Sequence, residues 1–389
     1  MNNGPTNDPP DRFPQEPSGF RRRRFTLPGS PVFASGLAAG KNRTVSADAD
    51  EVLVQVTGGV GFLTLNRPKA INSLNHPMVT ALDAALAVWE NDDEVRAVVV
   101  NGAGERGLCA GGDVVALYHS ARADGVEARR FWFDEYRLNA RIGRYPKPYV
   151  ACMDGIVMGG GVGVSAHGSV RVVTETSKIA FPEVGIGFIP DVGGTYLLAR
   201  APGLLGVHAA LTGAPFSGAD AIELGFADHY VPQADLEPFI AMVTAAGPEA
   251  AVGAFAQDPP PSKLAAQREW IDHCYAGETV GEIVAALRDH GEGPAGTAAD
   301  LIATRSPVAL AVTLAALRRA ARLDSLEDVL VQEYRVSCAS LRSHDFVEGI
   351  RAQLVDKDRN PQWSPSSIAA VTDDDVAAYF VPADPDLTF

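Results

Sequence analysis

Two glycine-rich segments of this 389-residue chain have the composition of anion-binding turns. Residues 110–113 read Ala-Gly-Gly-Asp and residues 159–163 read Gly-Gly-Gly-Val-Gly, and each segment follows a predicted buried strand and opens a predicted helix. The first backbone N–H groups of a helix have no partner within it and attract negative charge. Two such groups that converge on one oxygen would stabilise a developing oxyanion, and glycine permits the close approach because it has no Cβ. The alternative is that these glycines serve only turns and helix packing.

A second set of candidate residues lies within residues 181–194, where two acids stand among apolar residues and glycines. Burial in such surroundings raises a carboxyl pKa toward neutrality, so Glu183 and Asp191 are suited to act as a base and its orienting partner. The alternative is that Glu183 begins a helix and Asp191 caps one. Glu135 lies on an amphipathic helical pattern, and its spacing alone predicts a solvent-exposed position. None of the eight histidines forms a ligand pair, and no metal site is predicted.

Residues 161–166 also fit the dinucleotide-binding fingerprint G-x-G-x-x-G/A, with Glu183 about where a ribose-binding acid would fall. In that fingerprint the first glycine follows its strand directly, whereas residues 154–158 intervene here. Pro182 is also unsuited to the end of a central strand, because proline cannot donate to the hydrogen-bond ladder. A dinucleotide-binding oxidoreductase stays open as an alternative from another class.

A serine hydrolase is a further alternative. Ser165, Asp191 and His208 follow one another in the chain order of an α/β-hydrolase triad. The segment around Ser165 lacks the closing glycine of the G-x-S-x-G motif, which argues against this class.

These residues need a scaffold of strands and helices to bring them together. Gly58-Gly59 between two β-rich segments indicates a hairpin, and apolar residues at helical spacing follow it. In chain order the patterns predict strands over residues 52–56, 61–65, 95–100 and 149–153, and a helix over residues 78–89 that follows His76-Pro77. Strands that alternate with helices predict an α/β fold. The β signal fades after Pro232, and helical patterns predominate from about residue 258.

Four regions follow from this organisation. We predict a disordered N-terminal extension, an α/β core, a helical C-terminal region and a tail, over residues 1–48, 49–257, 258–365 and 366–389. The extension holds seven prolines and few large apolar side chains, so it cannot offset the entropy lost on ordering. It carries a basic run at residues 21–24, but three acids precede the run and no secretory apolar region follows, which argues against a targeting peptide. The predicted location is cytoplasmic.

The composition narrows the classes of partner. With 46% apolar and 21% charged residues the chain is neither disordered nor fibrous, and its net charge of −15 disfavours binding to nucleic acid or anionic membranes. The four cysteines have no CxxC spacing and read as buried thiols rather than a zinc site or disulfide framework: Cys109, Cys152, Cys274 and Cys338.

The chain resembles the crotonase (enoyl-CoA hydratase/isomerase) superfamily in four blocks that occur in the same order. These blocks are residues 66–74 (NRPKAINSL), 109–113 (CAGGD), 159–163 (GGGVG) and 181–183 (FPE). Four further blocks resemble one branch, the 3-hydroxyisobutyryl-CoA hydrolases: residues 135–139 (EYRLN), 145–150 (YPKPYV), 189–194 (IPDVGG) and 344–351 (HDFVEGIR). Together the blocks cover about residues 51–365.

The resemblance implies a crotonase-like ββα spiral core with a helical C-terminal region. It implies that the carbonyl oxygen of a CoA thioester binds the N–H groups of Gly112 and Gly160, with water as nucleophile. Glu135, Glu183 and Asp191 would then surround the acyl group. Glu183 would act as base or nucleophile, and Asp191 would bind the substrate 3-hydroxyl or deliver a proton to the leaving group.

One departure from the superfamily concerns the reaction. Hydratases that resemble this chain carry a second glutamate where it has Gly163. Addition of water across a double bond loses half of its acid–base machinery with Glu183 alone, whereas hydrolysis needs one base or nucleophile and an oxyanion hole. The predicted activity is hydrolysis of a short-chain 3-hydroxyacyl-CoA, foremost 3-hydroxyisobutyryl-CoA of valine catabolism. The alternatives are an enoyl-CoA hydratase/isomerase and a non-catalytic acyl-CoA-binding scaffold.

The resemblance also implies how the CoA part of the substrate is held. Crotonase relatives place a basic C-terminal segment near the nucleotide end of CoA, which makes Lys357 and Arg359 candidate contacts. Lys69 and Ala70 are candidates on the opposite side. No resident cofactor is predicted, since CoA is part of the substrate. The oligomeric state stays open, and the resemblance is compatible with a homo-oligomer, either trimer or dimer.

Overall fold

The computed structural model of the chain describes residues 51–389, so the predicted extension over residues 1–48 lies outside the described residues. In chain order the strands of this part are β1 (Val52–Thr57), β2 (Val60–Leu65), β3 (Ala97–Gly102), β4 (Tyr149–Met153), β5 (Ile156–Met158), β6 (Val170–Val173), β7 (Lys178–Ala180), β8 (Phe216–Ser217) and β9 (His229–Tyr230). The predicted hairpin is confirmed, because β1 and β2 pair antiparallel around Gly58-Gly59.

The strands form two sheets. The larger sheet has the order β1-β2-β3-β4-β6-β9, and every pair after the hairpin is parallel. Strand β4 is buried at all five positions, as expected of a parallel sheet that is covered on both faces. The smaller sheet has the order β5-β7-β8. This alternation of strands and helices confirms the α/β class.

The helices connect and cover the strands. In chain order they are α1 (His76–Glu90), α2 (Val114–Ala121), α3 (Val126–Gly143), α4 (Gly160–Gly163), α5 (Gly194–Leu198), α6 (Leu205–Thr212), α7 (Gly218–Glu223), α8 (Leu236–Ala246), α9 (Pro248–Phe255), α10 (Arg268–Cys274), α11 (Val280–His290), α12 (Pro294–Ala303), α13 (Pro307–Ala320), α14 (Leu326–Ser340), α15 (His344–Ile350) and α16 (Asp373–Ala377). Helix α1 begins where the Asn75 side chain accepts a hydrogen bond from the Met78 N–H, an N-cap followed by Pro77 in the first turn.

The C-terminal part is helical, as the sequence predicts. Strand β9 is the last in the described residues, and helices α8 to α16 follow it. Residues 51–389 belong to one compact unit, and the boundaries at residues 257/258 and 365/366 stay predictions. All four cysteines are free and buried.

No single helix of residues 51–389 is long and apolar enough to cross a membrane. Helices α12 and α13 have the length and apolar composition of a membrane span only when they are taken together, and the chain bends by 115° between them.

The sheet arrangement brings the two glycine segments together. Residues 110–113 precede α2, and residues 159–163 follow β5 and form α4, so both segments open helices as predicted. A backbone bridge joins Cys109, just before the first segment, to Val157, just before the second. Glycines of both segments therefore line the same cavity.

Candidate active site

A cavity of about 430 Å³ lies where the glycine segments meet helix α3 and the residues after β7. Five of the residues identified in the sequence line it together: Gly112, Gly160, Glu135, Glu183 and Asp191. They come from segments that are up to about 80 positions apart in the chain, so only the fold assembles them. The remaining lining is largely apolar, including Phe131, Trp132, Phe188 and Phe346.

The two glycines that are predicted to bind the thioester oxygen both line this cavity. In the described part of the chain, neither the Gly112 N–H nor the Gly160 N–H donates a hydrogen bond to a protein acceptor. A Cβ on Gly160 would lie 3.4 Å from the Gly112 nitrogen and 2.8 Å from Glu135 Oε1. Two free N–H groups thus face a space that a methyl group would obstruct. This arrangement suits a developing negative charge on oxygen.

Glu135 and Glu183 both line this space. Glu183 is the second residue of the 3₁₀ helix Pro182–Ile186, which follows β7, and its Oε1 would lie 2.7 Å from a Cβ on Gly159. The prediction of an exposed Glu135 from helical spacing was wrong. The exposure of Glu135 is 2%, because it lies on the face of α3 that lines the cavity rather than on a solvent-exposed face. Burial, followed by the nearby Asp191 charge, raises the pKa of both glutamates well above the usual range.

Each of these two carboxyl groups also has an oxygen without a protein partner. Glu135 Oε1 and Glu183 Oε2 are buried and accept no hydrogen bond from the described residues. A buried carboxyl oxygen that lacks a partner is costly unless a ligand or water supplies one. Both atoms are therefore available to a bound molecule.

Asp191 is held by a tyrosine that the sequence analysis did not single out. The Tyr136 hydroxyl lies 2.7 Å from Asp191 Oδ2, to which it donates, and 2.7 Å from Ser337 Oγ. Burial raises the pKa of Asp191 to about 7, and the Tyr136 hydrogen bond opposes this rise. Asp191 does not cap a helix, because the residue before α5 is Gly193.

The loop that follows Asp191 is fixed by a buried glutamate from the C-terminal region. Glu333 of α14 accepts hydrogen bonds from the N–H groups of Gly193 (2.6 Å) and Thr195 (2.9 Å) and from the Thr195 hydroxyl (2.5 Å). Burial raises the Glu333 pKa to about 8 despite these donors. Glu333 and Tyr136 are positioning residues, since they act on Asp191 and its loop.

Val192, between Asp191 and this anchor, has a strained backbone. Its φ of +56° lies in the left-handed region, which is unfavourable for a β-branched residue. Its carbonyl oxygen is 2.7 Å from Nε2 of His167, and burial lowers the His167 pKa to about 4, so a neutral imidazole donates this bond. The structure therefore maintains an unfavourable backbone conformation next to the buried carboxyl group of Asp191.

The place of Gly163 is closed to a larger side chain. A Cβ there would lie 2.7 Å from Val192 Cβ and 2.8 Å from Asn139 Nδ2. Asn139 is fully buried on α3, and neither atom of its side-chain amide has a partner in the described residues. A second acid at position 163 would need both neighbours to move.

The four predicted CoA contacts do not line the cavity. Lys69 and Ala70 lie on the 3₁₀ helix Pro68–Ala70, where the Lys69 carbonyl accepts a hydrogen bond from Arg106 (2.6 Å). Lys357 and Arg359 follow Gln353 and Leu354, which do line the cavity. The structure thus places Lys357 and Arg359 shortly after lining residues, and their contact with CoA stays a prediction.

The structure does not assemble a serine hydrolase triad. The Ser165 hydroxyl donates to the Gly161 carbonyl at 2.6 Å, and His208 Nδ1 lies 2.8 Å from the Tyr275 hydroxyl. Asp191 instead contacts Tyr136. The three residues therefore have separate partners.

Some site residues could have been found in the sequence and others could not. Tyr136 directly follows Glu135 in the block of residues 135–139, so the family resemblance of this block could have pointed to Tyr136 as a site residue. Glu333 bonds to residues 138 and 140 positions away and had no comparable signal. Its role depends on how α14 packs against α3 and α5.

Comparison with known proteins agrees with this geometry. The family model for enoyl-CoA hydratase/isomerase matches residues 60–380. The chain is 40% identical over 339 residues to the 3-hydroxyisobutyryl-CoA hydrolase, mitochondrial, of Danio rerio, which covers 84% of this chain and 88% of that protein. It is 38% identical over 343 residues to the protein of the same name from Homo sapiens, covering 85% and 89%. Both relatives are named as mitochondrial proteins, so the comparison does not support the predicted cytoplasmic location.

Two solved structures share the fold over nearly their whole length. One, described as a carnitinyl-CoA dehydratase from Mycobacterium thermoresistibile, is 72% identical, has a TM-score of 0.86 and covers 88% of this chain and 99% of its own. The other, described as an enoyl-CoA hydratase from Rhodobacter sphaeroides 2.4.1, is 42% identical, with a TM-score of 0.83 and coverage of 87% and 100%. The expected crotonase-like fold is confirmed, and the dinucleotide-binding interpretation of residues 161–166 was wrong. The chain belongs to the enoyl-CoA hydratase/isomerase family.

Proposed function

We propose that the protein hydrolyses a short-chain 3-hydroxyacyl-CoA thioester, with 3-hydroxyisobutyryl-CoA as the first candidate. The observation that carries this proposal is the closed space around Gly163, where hydratases of the family carry their second glutamate. The names of the curated relatives support the same activity. No resident cofactor takes part in this reaction, because CoA belongs to the substrate.

The cavity supplies the groups that this hydrolysis needs. The thioester carbonyl oxygen binds the N–H groups of Gly112 and Gly160, which stabilise its negative charge in the tetrahedral intermediate. Glu183 either removes a proton from the attacking water or attacks the carbonyl carbon itself, in which case water then hydrolyses the anhydride. Asp191 binds the 3-hydroxyl or returns the proton to the departing thiolate, and Glu135 contacts the acyl group.

An enoyl-CoA hydratase or dehydratase is the second candidate, because the two similar solved structures carry such descriptions. That reaction needs a second acid–base group beside Glu183. Asn139 and Val192 fill the space next to Gly163, so a hydratase would have to take this group from Glu135 or Asp191. Hydrolysis and hydration therefore require different groups in the cavity, and they also give different products, which an experiment can measure separately.

We expect the purified protein to release free CoA from 3-hydroxyisobutyryl-CoA faster than it hydrates crotonyl-CoA or dehydrates carnitinyl-CoA. Free thiol measures hydrolysis, and absorbance of the conjugated enoyl thioester measures hydration and dehydration. Glu249→Gln, an exposed substitution on α9, serves as a control preparation. Hydration or dehydration at a rate equal to or above thiol release would refute the hydrolase proposal.

Replacing Tyr136 with Phe tests the role of Asp191. The variant loses the hydrogen bond that lowers the Asp191 pKa, so this pKa should rise above its value of about 7. If the ionised carboxylate is required, the acidic limb of the kcat/KM profile moves to higher pH by about one unit, the scale of one hydrogen bond to a charged group. Ser337→Ala, which leaves the Tyr136–Asp191 contact in place, is the matched control. An acidic limb that stays at the wild-type pH would show that Asp191 does not control this titration.

We further propose that Lys357 and Arg359 bind CoA phosphates, with Lys69 and Ala70 on the other side of the nucleotide. The supporting observation is that Leu354, at the wall of the cavity, is followed by these two cations within five residues. If these residues contact only the CoA part, Lys357→Ala/Arg359→Ala weakens the binding of all CoA ligands by one common factor. Calorimetry with S-butyl-CoA and S-octyl-CoA measures this factor.

A further inference from the structure

A second pocket of about 210 Å³ lies beside the cavity. It is formed at the start of helices α1, α2 and α3, with an apolar lining that includes Leu74, Pro77, Ala116 and Ala128. Leu117 of α2 and Phe131 of α3 line both spaces. These two side chains therefore form the wall between them.

Phe131 packs against one of the glycines that are proposed to bind the thioester oxygen. A Cβ on Gly112 would lie 3.6 Å from its Cε1 and Cζ atoms, so the ring packs against one oxyanion glycine. Phe131 also lies one helical turn before Glu135, on the same face of α3. An acyl group held at Gly112 and beside Glu135 meets this ring directly.

The charges indicate which end of the substrate points toward the second pocket. Its acidic lining residues are Glu127 and Asp113, which pairs with Arg67 at 3.1 Å. Its His76 imidazole contacts Asp134 at 2.6 Å. No lysine or arginine of the described residues lines this pocket, so it offers phosphate groups no favourable cation. An acyl chain, which carries no charge, suits the apolar part of the pocket better than the anionic CoA does.

The first cavity, unlike the second pocket, has a cation in the lining that the described residues form. Arg305 lines it, donates its Nε and Nη2 to the Thr212 carbonyl (3.0 and 2.6 Å), and forms no ion pair with a carboxylate of the described residues. Leu354, shortly before Lys357, lines the cavity as well. This charge distribution favours the phosphates of CoA on the side of Arg305 and Lys357 rather than in the second pocket, which has no lysine or arginine of the described chain in its lining.

We propose that Phe131 determines acyl chain length: its ring closes the acyl cavity, and the pocket behind it is an aliphatic-chain site that opens when the ring is removed. This inference rests on the proposed function in one respect, since it takes the acyl group to lie against Gly112 and Gly160. It assigns the ligand class of the second pocket as the tail of a medium-chain acyl group.

Calorimetry with S-butyl-CoA and S-octyl-CoA tests this proposal without requiring turnover. Phe131→Ala should increase the affinity for S-octyl-CoA relative to S-butyl-CoA by about 10-fold or more over wild type, the smallest effect typical of one methylene in an apolar pocket. The ratio of kcat/KM for 3-hydroxyoctanoyl-CoA and 3-hydroxybutyryl-CoA should change in the same direction. An unchanged affinity ratio in a folded Phe131→Ala protein would overturn the proposal.

Phe188→Ala is the matched control. Phe188 lines only the first cavity, stacks on Trp132 with ring centroids 5.4 Å apart, and is buried to a similar degree as Phe131. The substitution removes the same atoms and enlarges the first cavity without connecting it to the second. An equal gain for S-octyl-CoA in Phe188→Ala would show that cavity size alone matters, and would refute a wall at Phe131.

Two further variants keep the outcomes separate. Leu117→Ala opens the same wall with a smaller loss of packing and decides the question if Phe131→Ala does not fold. Lys357→Ala/Arg359→Ala should weaken both thioethers by a common factor and leave their ratio unchanged. A wild-type protein that releases no thiol from any 3-hydroxyacyl-CoA would refute the proposed function, whereas the thioether affinities would still decide the chain-length proposal.

Discussion

Replacing Glu183 with Gln is expected to lower kcat for thiol release by about 100-fold or more, the usual contribution of a general base. The amide has nearly the same shape as the carboxylate, so it preserves the packing against Gly159 but neither accepts a proton nor attacks a carbonyl. The affinity for a CoA thioether should stay close to that of the wild type. Steady-state thiol release measures kcat, and calorimetry separately measures the affinity for the CoA thioether.

The same variant carries a prediction about stability that separates a catalytic carboxyl group from a structural one. Burial raises the Glu183 pKa above its unfolded value of 4.5, so the folded state holds this proton more tightly than the unfolded state does. The wild type therefore loses stability as the pH rises above 4.5 toward the folded pKa, and Glu183→Gln does not lose this part. Its melting temperature relative to wild type should rise with pH over that range. A variant with wild-type kcat and a lower melting temperature would indicate a structural role.

Gly160→Ala is expected to lower kcat by about 100-fold to 1000-fold, the range observed when one oxyanion-hole donor is lost. The added Cβ would lie 2.8 Å from Glu135 Oε1, 3.2 Å from Leu74 Cδ1 and 3.4 Å from the Gly112 nitrogen. It would therefore enter the space in which the carbonyl oxygen must lie between the two N–H groups. The loss should appear in kcat for every thioester, because the developing oxyanion is common to all of them.

A glycine on an open helix surface provides the control for this substitution. Gly253 of α9 has no atom within 4 Å of an added Cβ, so Gly253→Ala adds a methyl group without a steric conflict. We expect wild-type kcat in that variant. A kcat for Gly160→Ala within a few-fold of wild type would show that the Gly160 N–H is not part of the oxyanion hole.

Sequence patterns were sufficient for the parts of the site that depend on local chemistry. The glycine segments were identified because a strand followed by glycines and a helix exposes unpaired N–H groups wherever it occurs. Glu183 and Asp191 were identified because acids among apolar residues and glycines are desolvated. Both inferences use only neighbours within about fifteen positions, so the structure had little room to change them.

The same kind of reasoning failed for Glu135. Its helical spacing predicts an exposed face, and the residue is almost fully buried. Periodicity shows which residues share a face of a helix, but the elements that cover the face come from elsewhere in the chain. The resemblance to a family was needed to predict Glu135 as a residue of the site, and it does line the cavity.

The sequence by itself determined the class of fold, the order of the chemical blocks and the absence of an acid at position 163. The tertiary structure decided what fills that position, which tyrosine holds Asp191, and that Glu333 anchors the following loop. It also decided that Phe131 stands between two pockets. The physical reason is that hydrogen bonds, desolvation and steric closure act through space. Their partners here lie tens to more than a hundred positions apart, where a local sequence pattern carries no record of the contact.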